Sequence, residues 1–169
     1  FLNHWDLIPG TAFSSPSLAW NPLALRMQIV ANGAGDTIYA GSFNSAGVFN
    51  NDWTLIPGTT LSSPALAWNP LAFKMQIVVR GANDTINVGS FNLMAAFNND
   101  WTTIPGNTLS SPAIAWNEVA KTMQVLSYGS KDAILAFGMP GDIPVTGDWD
   151  GSGITKIGVF RGDSWFLDL

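Results

Sequence analysis

The chain has no cysteine, a single histidine and a single glutamate among 169 residues, and charged side chains make up only 11 % of it. Without cysteine, disulfides, thiolate catalysis, haem attachment and Cys-ligated zinc are all excluded. No apolar run approaches the ~20 residues a membrane-spanning helix needs, so no membrane span is expected. The seven Lys and Arg are scattered in a chain of net charge −5. No row of phosphates could be neutralised by them, which excludes a nucleic-acid partner. Catalysis finds little support either. His4 and Glu118 have no recurring second base, and glycoside hydrolysis would need two converging carboxylates, so the protein is read as a non-enzyme. The sequence starts at Phe1 without a signal peptide, as expected for a processed chain or a piece of a longer one. A low-charge surface rich in Trp, Asn and Ser points to an extracellular or cell-surface protein.

What the sequence does have is repetition. Copies start at Phe1, Phe49 and Phe97 with a period of 48 residues, and roughly 31 of the 48 positions match between the first two. A period of ~40–50 residues is in the range of propeller blades. In the second copy SPALAW, KMQIVVR and DTINVGS read as three strands, and FNNDWTTI as the fourth, ending at Pro105-Gly106. Gly, Pro, Asn and Asp punctuate them, and no 3.6-residue apolar stripe appears. The expected fold is therefore all-β, a β-propeller of about four blades in one domain. It comprises repeats 1–48, 49–96 and 97–141 and a partial blade, 142–169.

In the tail, Trp149 aligns with Trp20, Trp68 and Trp116 but follows the last of these by less than a period. The segment LAFGMPGDIP replaces the fourth strand of the third copy. The tail then supplies three strands, IPVTGDW, TKIGVFR and DSWFLDL, and no fourth, while the N-terminus carries a spare fourth strand. Pairing Asn3–Ile8 with Ser164–Leu169 would cover both open edges. It could do so within one chain, the favoured form, or between two chains as a homodimer.

The Trp residues fall into two repeated sets. Trp5, Trp53 and Trp101 lie beside the amides and carboxylates of Asn51, Asp52, Asn99 and Asp100. Aromatic faces stack on sugar rings, so these seven residues are the candidate glycan-binding set. Packing between blades is the competing role for the Trp rings. The second set, Trp20, Trp68, Trp116 and Trp149, is assigned to the core. Asp36, Asp84 and Asp132 recur and are read as turn caps bonding their own backbone.

The pattern W-T-L-I-P-G, S-S-P-A-L-A-W, M-Q-I-V-V-R-G-A-N-D-T-I over residues 1–137 resembles the blades of bacterial propeller lectins of the Photorhabdus-lectin type. That resemblance implies glycan or glycoconjugate partners. The tail D-I-P-V-T-G-D-W-D-G-S-G-I-T-K-I-G-V-F-R looks like FG-GAP/VCBS-type repeats. In those, Asp148, Asp150 and Ser152 would stand at calcium-ligand positions. Here Ser152 replaces a carboxylate and Lys156 stands at the closing position, which removes oxygens that calcium needs. A plain Asp-Gly turn is the favoured reading, with no cofactor. The sequence thus suggests a lectin-like module with repeated shallow sites. The alternative is a structural or interaction module of a larger surface protein.

Overall fold

In a computed structural model of the chain, residues 7–129, 143–147, 149, 151 and 156–167 are described. The chain divides into two compact units, 1–132 and 133–169, and each is taken by itself.

The first unit carries two complete four-stranded antiparallel sheets and part of a third. β1 (Ser17–Asn21), β2 (Arg26–Asn32), β3 (Thr37–Phe43) and β4 (Thr54–Thr59) form one meander in the order β1-β2-β3-β4. The next sheet is the same meander, built from β5 (Ala65–Asn69), β6 (Lys74–Arg80), β7 (Thr85–Phe91) and β8 (Thr102–Asn107). β9 (Ala113–Asn117) and β10 (Thr122–Leu126) begin a third. Four-stranded antiparallel units of this kind are propeller blades, so the all-β expectation is met. Among the described residues helical geometry is confined to two three-residue 3-10 turns. The first strands lie side by side, β5 next to both β1 and β9. The Leu66 amide donates to the Ser17 hydroxyl across the first of these seams.

The core lies between consecutive sheets. Val30, Ile38 and Ile56 of the first sheet pack with Leu66, Met75, Ile77, Val79 and Phe91 of the second. β2 and β6 sit second in each meander and are covered on both faces, which explains their runs of buried apolar residues (Ile29 to Ala31, Ile77 to Val79).

The outer strand differs from the expectation. It starts after Trp53, not at Phe49, and it runs through Pro57-Gly58 instead of ending there. The pairing jumps from Ile38↔Ile56 to Thr37↔Thr59, so Pro57 and Gly58 form a bulge. Proline lacks an N–H and is tolerated at such an irregularity on an edge strand. Gly58 adopts φ 115°, open to glycine, and a Cβ there would lie 2.9 Å from Trp101 Nε1. The same bulge recurs between Thr85 and Ile86 opposite β8.

The Asp turns also form differently. Asp36 and Asp84 have φ near 60°, a conformation short polar residues adopt more readily than most. Their side chains cap no backbone amide. The turns are closed by Gly33 N–H to Thr37 O and by the Thr37 hydroxyl to Ala34 O, repeated at Gly81 and Thr85. Asp84 instead takes the Arg80 guanidinium at 2.6 Å. Asp132 lies outside the described residues.

The second unit is a three-stranded antiparallel sheet, β11 (Ile143–Gly147), β12 (Lys156–Arg161) and β13 (Ser164–Leu167). Its three strands match the three expected from the tail. The proposed pairing of Asn3–Ile8 with Ser164–Leu169 needs Asn3 to Asp6, Asp168 and Leu169, which lie outside the described residues, as do most of the segment that replaces the fourth strand of the third copy and the calcium positions Asp148, Asp150 and Ser152.

Two glycines separate backbone strain from crowding. Gly35 has φ 65° and open space around it, so Gly35→Ala should cost about 1–2 kcal/mol, the usual left-handed penalty. Gly58→Ala adds a collision with Trp101 and should cost clearly more. Urea unfolding of both variants checks the ranking, and equal losses would contradict the tight seat.

Candidate functional site

Two clefts recur at equivalent places, each opening on the outer half of a complete sheet. The first, of about 440 Å³, is lined on one side by Arg26, Gln28, Ser42, Asp52 and Thr54. Phe91, Met94 and Phe97 line its other side. The second, of about 480 Å³, repeats the polar wall as Lys74, Gln76, Ser90, Asp100 and Thr102, opposite Ile114, Met123 and Val125. Each therefore has a hydrogen-bonding wall and an apolar wall.

The polar wall is built by the run Phe-Asn-Asn-Asp-Trp. In the first copy Phe49 meets Phe43 edge-on at 5.3 Å and Trp53 at 5.1 Å. Asn51 is exposed, at φ 55°, and this turn brings Asp52 onto Ser42. There the carboxylate accepts the Ser42 amide at 2.7 Å and the Ser42 hydroxyl. The Asn50 amide donates to the same hydroxyl oxygen at 2.8 Å. Asn98, Asn99, Asp100 and Ser90 repeat the arrangement. Lys74 Nζ stands 3.9 Å from Asp100. Burial is the largest influence on the Asp100 carboxyl and by itself raises its pKa. The Ser90 hydroxyl and amide, with the Lys74 charge, together outweigh burial and hold the group below its ordinary 3.8. Gln28 is almost fully buried, and its carbonyl accepts from Asn21 at 2.8 Å. Its N–H₂ end, on the cleft side, has no partner among the described residues.

Of the sequence candidates, then, Asp52 and Asp100 line the clefts, with Asn51 and Asn99 exposed one residue before them. Trp53 and Trp101 are half-buried, and their indole N–H groups are committed to packing between repeats. Trp53 donates to Pro9 O at 2.7 Å, and Trp101 donates to Pro57 O at 2.6 Å. Each ring edge also lies under a glycine of β3 or β7, Gly41 or Gly89. Trp5 is outside the described residues. The core assignment of the second Trp set fails at Trp20, which is 46 % exposed, because it lies on β1, the first strand of the first sheet. Trp68 packs against the core, and Trp116 donates to Glu118 at 2.7 Å. Sequence reasoning missed Arg26, Lys74, Gln28, Gln76, Ser42, Ser90, Thr54 and Thr102. The signal was present, since each pair falls at the repeat interval with the same or a like residue. Only the meander brings them together. Among the described residues no cluster of three metal-ligating side chains occurs, and no helix is long and apolar enough to cross a membrane.

No protein-family model and no curated protein matches the chain. Among solved structures, it is similar to a fucose lectin from Kordia zhangzhouensis, determined in complex with methyl-fucoside. The identity is 9 % and the TM-score 0.45, over 91 % of this chain and 97 % of the lectin. The functional reading rests on the clefts themselves.

Replacing Trp101 by Phe keeps a ring under Gly89 and removes the bond to Pro57 O. A loss of about 1 kcal/mol is expected in chemical unfolding, and an unchanged midpoint would contradict the staple. Asp100 supplies a pH test. Its folded pKa is depressed, so the stability it adds is complete above its unfolded value and is lost as pH falls through the lower folded value. The stability difference between the native chain and Asp100→Asn should therefore shrink below pH 3.8. A difference constant from pH 6 to pH 2 would refute this.

Proposed function

We propose that the chain is a glycan-binding protein of the lectin type, holding neutral sugars in its repeat-equivalent clefts. The observation that carries this reading is the duplicated polar wall. Arg26 and Lys74, Gln28 and Gln76, Ser42 and Ser90, Asp52 and Asp100, and Thr54 and Thr102 stand at matching positions. A carboxylate accepts from sugar hydroxyls, a cation and a carboxamide donate to them, and the facing apolar wall suits the C–H face of a pyranose. Small-ligand sites combine mostly apolar lining with a few placed polar groups, in cavities of ~300–1,000 Å³. Asp52 and Asp100 disfavour anionic sugars, because a like charge in the cleft wall opposes them. In this reading Asn51 and Asn99 serve the rim, while Trp53 and Trp101 are positioning residues that hold the Asp-bearing turn. The motif resemblance to Photorhabdus-type lectins agrees with it, as does a place outside the cell. Two or more weak sites on one body gain avidity on a multivalent surface.

Affinity per site is expected in the millimolar-to-micromolar range, about −4 to −8 kcal/mol. The test is a glycan array followed by calorimetry on the best ligand. Arg26→Met with Lys74→Met should weaken binding at least tenfold while the melting temperature holds. A native chain that binds no neutral glycan sinks the proposal, as does a double variant that binds unchanged.

A further inference from the structure

A third cavity lies at the first sheet and shares no residue with the polar walls. It has about 390 Å³ and lies where segment 8–16 passes over the first sheet. Its lining is mainly apolar: Ile29 and Pro16 together with three aromatic rings, Phe13, Tyr39 and Trp53.

The first repeat departs from the second at the positions that shape this space. Phe13 stands where the second copy has Leu61, and Tyr39 where it has Asn87. Ala31 stands where it has Val79. Two exchanges add a ring, and the third removes two methyl groups from the floor. Ala31 and Tyr39 are cross-strand partners, so the missing bulk lies beside the added ring. Glycines seat the other rings. A Cβ at Gly33 would lie 2.7 Å from the Tyr39 ring, and Gly10, at φ 125°, supports the Trp53 indole.

The segment over the cavity is also tied down differently from its counterparts. Thr60 and Thr108 are fully buried and donate their hydroxyls to Ser62 O and Ser110 O. Ala12 replaces them and has no hydroxyl to give. The Ser14 hydroxyl oxygen is buried without a partner among the described residues. The Phe13 amide to Asn32 O and the Trp53 indole to Pro9 O hold the segment in place.

We infer that this cavity is a separate binding site for a small planar aromatic molecule of one or two rings bearing one hydrogen-bonding group. Offset or edge-on contact with Phe13, Tyr39 and Trp53 supplies the attraction. The Tyr39 hydroxyl, which has no partner among the described residues, supplies the polar contact. The size and largely apolar lining are those of a small-molecule site.

Indole is the probe, titrated calorimetrically into the full chain. The expected result is saturable one-to-one binding. Ala31→Val with Tyr39→Asn installs the residues of the second repeat and should weaken indole at least tenfold with an unchanged melting temperature. If that pair fails to fold, Ala31→Val alone reads the same loss of space. Arg26→Met with Lys74→Met, which tests the sugar clefts, should leave indole affinity as it is. Non-saturable heats would overturn the inference. Native-like affinity in the filled variant, or loss of indole binding in the Arg26/Lys74 variant, would do so as well.

Discussion

Each repeat is joined to the one before it by a hydrogen bond from a tryptophan N–H to a proline carbonyl, made beside a glycine. Trp101 reaches Pro57 O beside Gly58, and Trp53 reaches Pro9 O beside Gly10. An indole N–H packed between repeats usually finds a partner, and the Pro57 carbonyl at its bulge is free to accept because the ladder has lost a rung there. The Ile-Pro-Gly element therefore makes the bulge, frees the acceptor and clears space for the ring. The apolar packing between sheets follows from this register. Val30 and Ile38 meet Ile77 and Val79 only when the two meanders are set at that offset.

The same residues that join the repeats shape the clefts. Between Phe49 and Trp53 the chain must turn sharply enough to stack both rings, and Asn51 takes the left-handed conformation that allows it. Asp52 is then delivered to Ser42, with one carboxylate spent on a local hydroxyl and amide and its remaining capacity at the cleft wall. The arrangement is cheap to repeat, since Asp52 and Asp100 both inherit it from one short motif. Gln28 extends the wall from β2 because its carbonyl end is held by Asn21, which leaves the donor end for the cleft.

Much of this was legible beforehand because repetition is a one-dimensional signal. The period, the strand-rich character, the first three strands of the first two copies and the three-stranded tail could all be read from turn residues and β-branched runs. The fourth strand was misplaced because Pro-Gly ordinarily ends a strand, and a bulge is a pairing event that needs both partners to be seen. Asp36 and Asp84 were read as side-chain caps when their value is conformational. Asp52 and Asp100 were found as candidates, but the residues that complete their clefts were not. Arg26, Ser42 and Asp52 are far apart in sequence, and antiparallel register alone aligns them.

The sequence by itself determined that the chain is all-β and built of like units, that thiol chemistry is excluded, and that the Asn-Asp-Trp run recurs. These follow from composition and local conformational preference, which act over a few residues. Tertiary structure decided what the recurring residues do. The indole N–H of Trp53 could have faced a sugar or a neighbouring strand. The choice was made by Pro9, 44 residues away in the chain, whose carbonyl accepts it. Partner choice for a buried donor depends on which acceptor the fold brings within reach, and contacts over that separation exist only once the sheets have packed.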